Sequence, residues 1–142
     1  MERRIAPESV RDLLLAGNAT ITLESGKTGK HFTYKITKCK TDDNLFFIKL
    51  LRGCDNSNDY TYIGCFYADN NHFHPEKKYV NVDVYAWPKS LSAIRYLFNH
   101  IDNVPDNLHV YHEGRCCRCG RKLTTPESIQ KGVGPECERY QQ

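Results

Sequence analysis

The sequence predicts an α+β fold: an antiparallel β-sheet of about five strands with one covering helix, followed by a small cysteine-rich module at the C-terminus. Three observations predict it. Between Ala19 and Tyr85 there are five short runs of strand-like apolar patterning, most of them with the two-residue period of a half-buried strand. Between Leu91 and Ile101 the apolar period becomes helical. Four of the seven cysteines, Cys116, Cys117, Cys119 and Cys137, then fall within the last 27 of 142 residues.

Each element has its own justification. Pro7 to Ala16 reads as a helix, with Pro7 at the first position, Val10, Leu13 and Leu14 on one face, and Gly17 at the left-handed stop. From Ala19 the chain alternates: Ala19, Ile21 and Leu23 point one way, Thr20, Thr22 and Glu24 the other. Ser25 to Lys30 is a turn, and Phe32, Tyr34 and Ile36 line one face of the next run, which makes an antiparallel hairpin. Leu45 to Leu51 is continuously apolar, as a central strand is. Asp55 to Asp59 is a polar turn, Tyr60 to Tyr67 a fourth strand, and Ala68 to Lys78 an exposed loop. Val80, Val82 and Val84 alternate with polar neighbours as a fifth strand. Leu91, Ile94, Leu97, Phe98 and Ile101 then form the apolar stripe of a helix that covers the sheet. Asp102 to Asn107 is a linker, which divides the chain into a sheet domain over 1–104 and a module over 105–142.

Composition bounds the function classes. Hydrophobic residues are 39% and charged residues 26%, the balance of a soluble globular protein. No apolar run reaches the ~18 residues of a membrane span, and the start MERRIAPESV carries no apolar signal stretch. The expectation is a cytoplasmic protein without a membrane partner. A net charge of +3 is too mild to announce nucleic acid by itself. In a reducing compartment, clustered cysteines point to metal before disulfide.

The tail supplies that chemistry. Zn²⁺ takes four ligands at tetrahedral angles, and Cys-x-x-Cys is the shortest spacing that brings two thiolates on one turn to a single ion. Cys116 and Cys119, followed by Gly120, make the pair. Cys137 is the third ligand, in the first turn of a helix that opens at Pro135, where the positive helix end favours a thiolate. His112 is the candidate fourth. Cys117 is left outside the set, while Cys39, Cys54 and Cys65 read as ordinary thiols of the sheet domain. Thr125 is an N-cap for a short helix over Pro126 to Lys131, ended by Gly132. Three cysteines and a histidine form a closed set, so the zinc reads as structural. The nucleobase deaminase order, His-x-Glu then Pro-Cys-x-x-Cys, is absent. Zinc and three thiolates together contribute −1, lowering the charge to about +2.

Arg115, Arg118, Arg121 and Lys122 place four cations in eight residues. They suit a phosphate-contacting knuckle and equally a solvated face that offsets thiolate charge. Lys35 and Lys38, with Tyr34, Tyr60 and Tyr62 as stacking faces, extend the nucleic-acid reading into the sheet. Aromatics at alternating strand positions are also ordinary core. His72 and His74 lack a neighbouring carboxylate and are weak candidates for a second metal. No glycine-rich phosphate loop or nucleophile elbow is present, so no enzyme is expected.

The ending from Tyr111 to Cys137, Tyr-His-Glu-Gly-Arg-Cys-x-x-Cys-Gly-Arg-Lys-Leu-Thr-x-Pro-Glu-Ser-Ile-x-x-Gly-x-Gly-Pro-x-Cys, closely resembles a zinc-ribbon-like domain of unknown function common in bacteriophage and prophage proteins. Leu15 to Thr20, Thr28 to Lys35 and Tyr60 to Gly64 resemble the region that accompanies it. The resemblance implies zinc at Cys116, Cys119 and Cys137, supports His112, and leaves Cys117 at a variable position. It implies a small phage accessory protein in the cytoplasm of a bacterial host. Such a protein binds a host or phage protein complex, with inhibition of a defence or metabolic complex as one mode. Nucleic-acid binding through the basic knuckle and sheet aromatics is the alternative.

Overall fold

Six strands pair into one antiparallel sheet in a computed structural model that describes residues 3–53 and 58–138. A 3-10 turn at Pro7–Ser9 leads into α1 (Val10–Leu14). The strands β1 (Asn18–Ser25), β2 (His31–Lys38), β3 (Leu45–Leu51), β4 (Tyr60–Tyr67) and β5 (His72–Pro75) form a meander. After α2 (Lys89–Asn99), the strand β6 (Leu108–His112) returns to the free edge of β1, giving the order β5-β4-β3-β2-β1-β6. Two short helices, α3 (Pro126–Lys131) and α4 (Pro135–Glu138), close the described chain.

One face of the sheet is dry. Ala19, Ile21, Leu23, Tyr34, Ile36, Phe46, Ile48 and Leu50 alternate inward, and α2 lays Leu91, Ile94, Leu97 and Phe98 over them. The Phe98 ring stacks on Phe66 at 4.1 Å and lies 5.8 Å from Phe73, which fixes α2 over β4 and β5. The other face carries Thr20, Thr22, Thr33, Lys35, Lys49 and Tyr62, none of them buried. This two-sidedness is what alternating strands dictate.

Three expectations are corrected. Val80 to Val84 is not a strand: Val80 and Val82 are exposed, and 3-10 turns flank them at Lys77–Tyr79 and Val84–Ala86. The Asp83 carboxylate accepts the Tyr85 amide at 3.0 Å and so draws the backbone into a turn. The fifth strand lies instead inside the expected loop, where Phe73 alone of β5 is buried. Gly17 does not cap α1; its carbonyl accepts the Lys38 amide at 3.0 Å and opens β1. Part of the expected turn over Asp55 to Asp59, together with Cys54, lies outside the described residues.

The boundary drawn between 104 and 105 falls just ahead of a strand of the sheet. β6 pairs with β1 from Ile21 opposite His112 to Ser25 opposite Leu108. Its outer edge is met by the N-terminal segment, through Ile5 N–H to the Val110 carbonyl (2.7 Å) and His112 N–H to the Arg3 carbonyl (3.0 Å). Among the described residues, no helix is long and apolar enough to cross a membrane.

Candidate metal centre

The tail folds around a knuckle. Arg115 bridges Lys122 in antiparallel fashion, and inside that bridge the Cys116 amide donates to the Arg121 carbonyl at 2.8 Å. The Gly120 amide turns back to the Cys116 carbonyl at 2.8 Å. Gly120 holds φ +83°, a conformation that L side chains rarely adopt, so the residue after the second cysteine of the pair is glycine for a backbone reason. The Cys119 amide points at the Cys116 sulfur, 3.5 Å away.

The third cysteine comes from α4. Thr125 caps α3 by accepting the Ser128 amide, and Gly132 ends that helix in the left-handed conformation, as the sequence predicts. The chain then reverses into Pro135–Glu138 and delivers Cys137. The sulfurs of Cys116, Cys119 and Cys137 all lie within 4.8 Å of one another. Thiolates bound to a common tetrahedral ion at ~2.3 Å would stand at comparable separations, so this donor set fits zinc. Three sulfur donors also suit other soft metals.

Electrostatics single out one thiol. Burial pushes Cys116 up, but the amides of Cys119, Gly134 and Arg118 outweigh it and bring its pKa down to about 7. Cys137 moves the other way, raised first by burial and then by the neighbouring Cys119 and Cys116 thiols. The Gly134 amide, just ahead of α4, serves Cys116. The Arg118 guanidinium lies 4.0 Å from the Cys137 sulfur and lowers its pKa in part.

His112 is not brought to the thiols. Leu108, Val110 and His112 share the inward face of β6, and His112 is fully buried there. The Gly114 amide donates to its Nδ1 at 3.0 Å, so Nε2 carries the proton and donates to the Ile129 carbonyl. Burial holds its pKa below the ordinary histidine value. Both ring nitrogens are engaged with backbone, which corrects the expectation of a fourth ligand. The closed ligand set expected from it is corrected too, since a tetrahedral ion would take its fourth ligand from outside the triad. Cys117, unassigned from sequence, is a core thiol. It is completely buried, its pKa is pushed up to about 12 first by burial and then by Cys116, and its backbone links the knuckle to the rest of the fold. Its amide donates to the Gly132 carbonyl (2.9 Å) and its carbonyl accepts from Asn18 N–H (2.8 Å).

The cationic residues separate. Lys35 sits beside Thr20 on the open face and approaches Arg115 and Gly120 across one cavity. Lys38 has the pleat parity of Tyr34 and Ile36 and so belongs to the opposite side, an outcome fixed by the two-residue period. Arg121 and Lys122 are exposed on the knuckle, while Arg118 turns toward Cys137. Tyr34 is no stacking surface: it is fully buried, and its hydroxyl donates to the Ser90 carbonyl. Tyr62 is exposed, and Tyr60 lies under the Lys35 ammonium, 4.7 Å from its ring centre. His72 and His74 sit on β5, and the cysteine triad is the one metal-competent cluster among the described residues.

Over residues 106–142 the chain matches DUF6011, a family of unknown function. No curated protein and no solved structure matches it.

Proposed function

We propose that this chain is a non-enzymatic zinc-binding protein in which the ion is structural, and that it works by binding another macromolecule. The observation that carries the metal reading is the triad of Cys116, Cys119 and Cys137 within 4.8 Å. The structural reading is supported by position. The knuckle is tied to β1 and to α3 through Cys117, so an ion joining the knuckle to α4 would fasten the tail onto the sheet edge. The adjoining cavity is lined by Arg115 and Gly120 but by none of the three thiols, and His112 is already engaged on both nitrogens. The phage accessory role in a bacterial cytoplasm, with a host or phage protein complex as partner, rests on the resemblance of the tail. A second reading, nucleic acid, is favoured by Lys35, Tyr60 and Arg115 lining one cavity, with Tyr62 exposed on the same strand as Tyr60.

Elemental analysis of purified protein tests the metal. About one zinc per wild-type chain and none in Cys137→Ser is expected; a metal-free wild type would sink the proposal. Titration of labelled single- and double-stranded DNA at two salt concentrations separates the partners. Micromolar binding with a steep salt slope supports nucleic acid. No binding at low salt removes it and leaves the protein partner, to be sought by pull-down.

A further inference from the structure

Between the open face of the sheet and the knuckle lies a cavity of about 500 Å³ lined by Arg3, Asn18, Thr20, Lys35, Tyr60, Glu113, Arg115 and Gly120. Its size is within the roughly 300–1,000 Å³ common for small-ligand sites. Four chain segments build it: the N-terminal arm, β1 with β2, the start of β4, and the knuckle. The registered pair Thr20 and Lys35 forms its floor, and Gly120 forms part of the wall, where a Cβ would stand 2.6 Å from Asn18 Nδ2.

The charges in it are unbalanced. Arg3, Lys35 and Arg115 are cationic and none of them forms an ion pair among the described residues. The one acid, Glu113, accepts the Thr22 hydroxyl at 3.1 Å. Arg115 spends one donor on the Gly120 carbonyl (3.1 Å), and a guanidinium offers five. A second observation points to a missing acceptor. The Tyr60 hydroxyl is buried and has no hydrogen-bond partner, the one such side-chain atom among the described residues. Buried polar atoms in native structures are nearly always satisfied, so an orphan calls for an explanation. Burial and then the Glu113 charge raise the Tyr60 pKa, so it stays a donor.

We propose that this cavity binds a phosphate monoester, with Arg3, Lys35 and Arg115 supplying charge and the Tyr60 hydroxyl donating to a phosphate oxygen. The lining carries about +2 after Glu113 is counted, which a dianion neutralises and a monocarboxylate does not. Three terminal oxygens also suit two guanidinium forks, an ammonium and a phenol, the donor types that recognise phosphate. The phosphate belongs to a mononucleotide or to the 5′ end of a nucleic-acid strand; the second source deepens the nucleic-acid reading and rests on it.

The test is calorimetric titration of the full zinc-loaded chain with inorganic phosphate, adenosine 5′-monophosphate, and a short single strand carrying either a 5′-phosphate or a 5′-hydroxyl. Saturable binding of the phosphate-bearing probes is expected, weakened about tenfold or more by Lys35→Gln or Tyr60→Phe and unchanged by Lys38→Gln on the opposite face. Tyr60→Phe also separates ligand donor from mere packing. Removing an orphan hydroxyl leaves the melting temperature level or higher, so lost affinity in that variant reports a lost contact and not a lost fold. Phosphate and mononucleotide binding without any gain from the strand supports the cavity and removes the nucleic-acid reading. Equal binding of both strands, insensitive to Tyr60→Phe, overturns the cavity and keeps that reading. No saturable binding of any probe overturns the cavity as well.

Discussion

At His112 the pleat of β6 decides between ligand and core residue, because Leu108, Val110 and His112 share the face that turns inward. Once buried, the imidazole satisfies two backbone groups, the Gly114 amide and the Ile129 carbonyl, and joins β6 to the end of α3. His112→Phe keeps the ring volume and strands both groups, so it should cost about 1–3 kcal/mol in thermal or denaturant unfolding. Zinc content should stay at the wild-type ratio, and the absorption spectrum of the cobalt-substituted protein should not move; a changed spectrum would restore His112 as a ligand. The pH dependence has a definite sign. The folded pKa of His112 lies below its ordinary value through burial, with the Arg3 charge acting the same way and Ile129 and Glu113 opposing. The unfolded chain therefore takes up the proton first as pH falls through about 6.5. The stability that neutral His112 contributes is complete above that pH and is lost as pH drops toward the depressed folded value. The gap in melting temperature between wild type and His112→Phe should accordingly narrow from pH 7.5 to 5.5, with the metal's own pH dependence common to both.

At the scale of elements, α3 carries no cysteine yet positions the triad. Its N-cap is the Thr125 hydroxyl, and past its C-cap Gly132 the chain presents the Gly134 amide to Cys116 and carries Cys137 on α4. Thr125→Ala removes the cap at a cost of about 1 kcal/mol. Competition with a chromophoric chelator should then show zinc held several-fold more weakly than in wild type, with stoichiometry unchanged; equal affinity would mean that α3 does not organise the site. This helix was legible in the sequence because its signals are local: a capping threonine, a proline at the first position, a terminal glycine. The same holds for β1, β2 and α2, whose periods are long enough to count, for the continuously apolar run of β3 and the aromatic run of β4, and for Cys116-x-x-Cys119-Gly120, whose turn brings two thiols together. What the sequence left hidden depends on pairing at a distance. β5 buries a single side chain, so His72 to Pro75 carries no period to read. Val80 to Val84 alternates but bonds to no strand among the described residues, and Asp83 turns it aside. The alternation of Leu108, Val110 and His112 was visible, but only pairing with β1 reveals which side is inward, and that side disqualifies the histidine as a ligand.

On the scale of the whole molecule, the tail and the sheet share one core. Cys116, Cys117, Leu123 and Val133 belong to the same buried cluster as Leu14, Ile21, Ile36 and Phe98. Backbone bonds cross between them at Asn18 to Cys117 and at Glu113 to Thr20. A tethered zinc module would lose its metal without disturbing its neighbour, whereas a tail built this way passes the loss to the strands it touches. Chelation should raise hydrogen exchange first at the amides of Cys116, Cys117, Gly120 and Leu123, which the knuckle orders. Exchange should then rise at Asn18 and along the β1–β6 pairing, because β6 takes its outer backbone bonds among the described residues from the N-terminal segment. Strands β2 to β4 and α2 should keep their protection, since β2, β3 and β4 pair with one another and the Phe66–Phe98 stack holds α2 to β4. Peptide-resolved exchange with and without chelator reads this directly. Protection lost in the tail alone, with β1 unchanged, would show that the ion folds a separate unit. Loss across every strand would show that the sheet itself depends on the metal. The shared core predicts the graded pattern between these, steepest at the knuckle and fading across β1.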